Sequence, residues 1–132
     1  MYFLDTNICV FILNGRFPYL NKHYLECGKS EIKIPSVVLF ELCYGAEKSQ
    51  KREQNLSKIR ILTSEVEIAP LDAQAAKIAG EIRARLEFAG TPIGGNDLLI
   101  AAIVRANNGV LVTNNTKEFS RVSGLHIEDW TN

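Results

Sequence analysis

The chain opens on three apolar residues, Tyr2-Phe3-Leu4, which stop abruptly at Asp5-Thr6-Asn7. Aspartate, threonine and asparagine favour helix N-caps because their side-chain oxygens satisfy orphan backbone N–H groups, so a strand leading into a helix is predicted here. That helix carries Ile8, Val10, Phe11 and Ile12 and stops at Asn14-Gly15, and a second follows near Leu20 to Cys27. Ile32-Lys33-Ile34, bounded by Pro35, alternates as a short strand does, and Ser36 is expected to cap an apolar helix reaching about Lys48. The strand-then-helix unit is thereby repeated. A basic, polar helix over 51–63 has Leu56, Ile59 and Leu62 as its inner stripe, and Val66-Glu67-Ile68 reads as a third strand. Between Asp72 and Gly90 the residues Ala75, Ala79, Ile82, Leu86 and Ala89 recur every three or four positions, the period of an amphipathic helix. After the loop 91–95, a helix from Asn96 is apolar on nearly every side through Val104, which predicts burial. Asn108-Gly109 then turns the chain into Val110-Leu111-Val112, suited to a central parallel strand that ends at Thr113-Asn114-Asn115. The tail through Leu125, Ile127 and Trp130 is expected to add an edge strand or to pack across an opening.

Short strands alternating with helices predict the α/β class, as a three-layer α/β/α sandwich around a central parallel sheet with right-handed crossovers. No linker, repeat or low-complexity tract divides the chain, so a single domain over 1–132 is expected. In such sheets ligands bind beyond the carboxyl ends of the strands, where the strand order reverses. Residues just after strands are therefore the ones to inspect.

Composition sharpens this picture. A 46% share of hydrophobic residues supplies one packed core and rules out a disordered chain. Fifteen basic and fifteen acidic residues cancel, so no long-range field draws the chain onto nucleic acid, and such contact must rest on local patches. Two candidates are Lys48, Lys51, Arg52, Lys58 and Arg60 after one helix and Arg83 with Arg85 on another, the alternative being solvated helix faces. The longest apolar run, Leu98 to Val104, is far too short to span a bilayer, and the N-terminus lacks a secretion signal pattern. A cytoplasmic protein with no membrane partner is expected. Cys9, Cys27 and Cys43 are odd in number and lack metal-ligand spacing, which suits buried free thiols, and His23 and His126 lie far apart. A metal in this chain takes oxygen ligands, which points to magnesium or manganese rather than zinc.

Four acidic or polar positions stand out. Asp5 follows the first strand, although it also suits a helix N-cap. Glu41 shares a helix face with Val37, Val38, Leu42 and Gly45, and a carboxylate there is seldom buried without a partner, because desolvating it costs several kcal/mol. Asp97 opens the most apolar helix, where its charge also favours the helix dipole; Asn96 is expected to serve as that helix's cap. Asn115 follows the last core strand and Glu118 comes three residues later, the spacing of a capping box. Together these groups can meet at one sheet edge, where clustered carboxylates repel unless a divalent cation neutralises them. An all-oxygen pocket of this kind suits hydrolysis or transfer at a phosphate. An aspartyl phosphatase is disfavoured, since Asn7 stands where a second aspartate would supply the acid.

Leu4-Asp5-Thr6-Asn7, Ser36 through Ala46 with Glu41 at its centre, Pro92-Ile93-Gly94-Gly95-Asn96-Asp97 and Thr113-Asn114-Asn115-Thr116-Lys117-Glu118-Phe119 resemble the successive motifs of PIN-domain ribonucleases, above all the VapC toxins of bacterial type II toxin-antitoxin (VapBC) systems. The resemblance spans essentially the whole chain, to Glu128-Asp129-Trp130. It implies a magnesium- or manganese-dependent endoribonuclease with Asp5, Glu41 and Asp97 as catalytic acids and metal ligands. Many relatives carry an aspartate at the position of Asn115, so the fourth acidic role passes to Glu118 or is missing. Thr6, Asn7 and Asn115 are expected to orient Asp5 or a water at the metal. The resemblance further implies an RNA substrate, tRNA and initially the anticodon region of initiator tRNA, inhibition by a cognate VapB-type antitoxin, and a homodimer. The alternative is a non-catalytic module of the same fold that binds nucleic acid or a partner protein without cutting, a reading favoured by the departure at Asn115.

Overall fold

A computed structural model describes residues 1–132. Five short strands, β1 (Tyr2–Leu4), β2 (Ile32–Pro35), β3 (Glu67–Ala69), β4 (Val110–Val112) and β5 (His126–Glu128), form one sheet of order β3-β2-β1-β4-β5. Every pairing is parallel. Seven helices flank it: α1 (Thr6–Asn14), α2 (Pro18–Glu26), α3 (Ser36–Glu47), α4 (Arg52–Glu65), α5 (Ala73–Phe88), α6 (Gly95–Ala106) and α7 (Thr116–Phe119). The expected three-layer α/β/α sandwich is thus the observed one, and the tail supplies the edge strand β5.

The chain steps outward from β1 to β2 to β3 and then crosses back to lay β4 and β5 on the other side of β1. Strand order therefore reverses between β1 and β4, the position at which such sheets open a crevice. Register pairs Leu4 with Val112, so the residues that follow them emerge side by side. The Asp5 N–H donates to the Val112 carbonyl at 3.1 Å, and the Thr113 N–H donates to the Glu128 carbonyl at 3.0 Å.

Local signals set most of the boundaries. Asp5 caps α1, its Oδ1 accepting from the Ile8 N–H at 2.9 Å, and Gly15 closes the helix at φ 60°, a conformation glycine adopts without penalty. Helix α2 begins at Pro18, two residues before the expected start, because proline is pre-organised for a first turn. Three expected caps are corrected. Ser36 lies inside the first turn of α3, and its hydroxyl accepts from the Leu71 N–H at 3.0 Å instead. Asn96 lies inside α6, whose N-cap is Gly94. Asn115 precedes α7 without a side-chain cap bond, so no capping box forms.

The core runs through Phe3, Leu4, Ile34, Leu111 and Val112 of the sheet and Ile100 through Val104 of α6, all 1% exposed or less. Cys9 is buried as expected, whereas Cys27 and Cys43 are half exposed; all three are free thiols. Cys27 just past the end of α2 and Cys43 on α3 lie at the rim of the core rather than in it.

The turn into β4 depends on close approach. Asn108 takes the positive φ, 51°, and a Cβ on Gly109 would overlap the Phe3 ring. Gly109→Ala is therefore expected to cost about 1–3 kcal/mol, the usual penalty of overpacking, read as a lower midpoint in urea denaturation with an unchanged slope.

Candidate active site

Strand β1 delivers Asp5 to the crevice, where only 5% of it is exposed. One oxygen is fixed by the Ile8 N–H, and the Thr113 hydroxyl faces the carboxylate. Burial pushes its pKa up to about 6, the Glu41 and Asp129 charges push the same way, and the Thr113 and Ile8 bonds oppose them. Helix α3 carries Glu41 beside the buried Val38 and Leu42. Its Oε1 accepts from Thr6 Oγ1 at 2.5 Å and its Oε2 from Asn96 Nδ2 at 3.3 Å. Bonds from both sides fix the plane of this carboxylate.

Asp97 sits in the first turn of α6, half buried. Its carboxyl is also raised to about 6, first by burial and then by Glu118, Glu41 and Asp5. Glu118 comes from α7, and its carboxylate lies close enough to Asp97 to help hold the Asp97 carboxyl in its protonated form. Asn115 holds Glu118 in place, its Nδ2 donating to Oε2 at 2.9 Å, while its own N–H donates to Thr113 Oγ1 at 2.9 Å. Side chains from four elements are thus brought together: Glu41 acts on Asp5, and Glu118, Glu41 and Asp5 act on Asp97.

Neither Thr6 nor Asn7 bonds to Asp5. Thr6 holds Glu41, not Asp5, because the start of α1 turns its hydroxyl toward α3. Asn7 is exposed and joins none of these bonds. Three participants had no role at the site assigned from the sequence. Thr113 faces Asp5, Asn96 holds Glu41 and Asp129 adds a carboxylate field at Asp5. Asp129 follows β5 as Asp5 follows β1, and that repetition was the available signal. Among the basic residues, Lys58 lines a groove of about 270 Å³ together with Glu41 and Thr6. Arg52 is bound to Glu47 and Glu53, and Arg83 to Glu87, so these arginines are neutralised within the chain.

The sequence signature of the PIN domain matches residues 2–125. Ribonuclease VapC2 of Rickettsia felis is 48% identical over 132 residues, with 98% of each chain covered. The chain belongs to the VapC ribonucleases of the PIN-domain family. Another member, the tRNA(fMet)-specific endonuclease VapC of Shigella flexneri, is 43% identical over 130 residues, again with 98% of each chain covered. Among solved structures, VapBC2 from Rickettsia felis bound to a DNA fragment from their promoter superposes with a TM-score of 0.92 at 45% identity, covering 98% of both chains.

PIN-domain ribonucleases generally depend on a divalent metal, and the residues of this VapC-family chain fit one by their chemistry. All the donors are oxygens, and none of the chain's ion pairs involves Asp5, Glu41, Asp97 or Glu118. Their charges are left for something else to neutralise. As placed here, no three His, Cys, Asp or Glu side chains stand close enough together to hold a metal ion between them, so a hard ion would take at most two of these carboxylates directly and keep waters in its other positions.

Proton linkage gives this a direction. Asp5 and Asp97 ionise near 3.8 when unfolded and near 6 when folded, so between these values the folded state holds more protons. Metal-free stability therefore falls as pH rises through that window, and the cost persists above it. Because a cation requires the ionised forms, its affinity is expected to drop about tenfold per carboxyl between pH 7 and pH 5. Calorimetric titration with manganese at the two pH values checks this; equal affinities would contradict it.

Proposed function

We propose that the chain is the toxin of a type II toxin-antitoxin pair: an endoribonuclease that hydrolyses phosphodiester bonds in tRNA and so inhibits translation. The observation that carries it is the convergence of Asp5, Glu41, Asp97 and Glu118 at the strand-order reversal, with no basic side chain paired to any of them. Two relatives named tRNA(fMet)-specific endonuclease, from Shigella flexneri and Salmonella typhimurium, make the anticodon region of initiator tRNA the substrate to test first. Magnesium, with manganese as its substitute, is the metal in this reading, and Asp5, Glu41 and Asp97 are the residues that would hold it, at least one of them through a water. When bound, such an ion supplies Lewis-acid polarisation of the scissile phosphate and lowers the pKa of water.

The chain's own residues do the positioning. The Ile8 N–H and the Thr113 hydroxyl hold Asp5, while Thr6 and Asn96 clamp Glu41 from its two oxygens. Asn115, standing where many relatives have an aspartate, acts through Glu118 by fixing its Oε2 next to Asp97. Glu118 thereby supplies the fourth acid. One PIN domain over 1–132 carries all of this.

The partner in the inhibited state is a VapB-type antitoxin, by analogy with the VapBC complexes of Rickettsia felis and Salmonella typhimurium. A homodimer is supported by large apolar side chains left in solvent, Phe40, Tyr44 and Phe88 among them. No helix is long and apolar enough to cross a membrane, and we place the protein in the cytoplasm, where its substrate is. Incubating the purified chain with total tRNA in magnesium, with and without EDTA, tests the reading. Discrete fragments that vanish with the chelator are expected; retention of uncut tRNA would instead favour a binding module.

A further inference from the structure

A second charged cluster lies outside the acids. Arg85 from α5, Arg105 from the last turn of α6 and Arg121 from the segment after α7 line one cavity of about 190 Å³. Thr91 and Ser123 add hydroxyls to its wall, and no aspartate or glutamate lines it. None of the three arginines forms an ion pair, although Arg52 and Arg83 elsewhere are neutralised by glutamates. Three guanidiniums around one small cavity repel each other, and an anion entering it removes that cost. Guanidinium is planar and donates in pairs, which matches phosphate oxygens.

The location ties this cavity to the chemistry. Arg121 Nη1 donates to the Pro92 carbonyl at 3.0 Å. Pro92 opens the loop that leads to Asp97, and Arg121 lies three residues beyond Glu118. The two segments that deliver Asp97 and Glu118 to the acid cluster therefore also form a wall of the arginine cavity.

We propose that Arg85, Arg105 and Arg121 form a phosphate subsite that grips the backbone of the RNA substrate away from the bond being cut. The proposal rests on the reading of the chain as an enzyme acting on RNA. The subsite reads no sequence, since phosphates carry none, and it supplies a local cationic contact to a chain of zero net charge.

The test measures binding of total tRNA in EDTA, where nothing is cut, across a range of salt concentrations. It compares the wild type with Arg105→Gln, Arg105→Lys and the double variant Arg85→Gln/Arg121→Gln. Each guanidinium lost is expected to lower the slope of log affinity against log salt by about 0.7–0.9 and to weaken binding about fivefold at 0.1 M salt. Arg105→Lys, which keeps the charge, is expected to retain most of the slope. Thermal melting with and without manganese confirms that the variants are folded and still bind metal, and the double variant, altered at exposed positions only, guards against misfolding of Arg105→Gln. Unchanged slopes in folded variants would overturn the proposal. So would variants that lose the antitoxin while binding tRNA normally, since the cavity would then serve a protein partner. A wild type that binds tRNA with the arginine-dependent slope yet never cuts it in magnesium would sink the nuclease reading and leave this subsite standing.

Discussion

Replacing Asp97 with asparagine is expected to lower magnesium-dependent RNA cleavage on the order of 10³-fold. The substitution keeps the shape of the side chain and removes a charge that burial, Glu118, Glu41 and Asp5 all press upon. A divalent ion contributes several kcal/mol of charge stabilisation in phosphoryl chemistry, and about 4 kcal/mol corresponds to three powers of ten in rate. The same substitution relieves repulsion among carboxylates, so the metal-free variant is expected to melt no lower than the wild type and to gain less from added magnesium. Single-turnover cleavage of tRNA and paired melting curves read both effects. Wild-type rates from Asp97→Asn would remove this carboxylate from the chemistry.

The largest effect on stability is expected at the C-terminus, from Trp130→Ala. Trp130 is 2% exposed, stacks on His23 at 4.0 Å between ring centroids and meets Tyr2 edge-on at 5.1 Å. Its Nε1 donates to Glu128 Oε1 at 3.0 Å. Removing the indole leaves a cavity between α2, β1 and the tail, at a cost of about 3–5 kcal/mol. That is a large fraction of the about 5–15 kcal/mol that holds a domain folded. The neighbouring Asp129, whose charge acts on Asp5, loses its anchor as well. A midpoint shift in guanidinium corresponding to less than about 1 kcal/mol would show that the tail contributes little.

How much of this was legible in the sequence depended on whether the deciding contact was local. Asp5 was readable because it ends the first apolar run, and in the structure it is both the cap of α1 and a member of the acid cluster. Glu41 was readable because a charge on an apolar helix face requires a partner, and Thr6 and Asn96 are that partner. The caps assigned to Ser36 and Asn96 failed for one reason. Their side chains bond to Leu71 and Glu41, 35 and 55 residues away, and such tertiary partners compete with the local cap. Asn115 likewise turns to the Glu118 side chain rather than to the backbone. The arginine cavity was invisible, because Arg85, Arg105 and Arg121 become neighbours only when α5 packs on α6 and the segment after α7 closes over both.

The central claim is that folding gathers these carboxylates around one divalent ion. Anomalous diffraction from crystals soaked in manganese tests it most directly. A single strong peak within coordinating distance of Asp5 and Asp97, with Glu41 reached directly or through water, is the predicted result. Carboxylates left empty at saturating manganese, or a peak confined to the protein surface elsewhere, would contradict it.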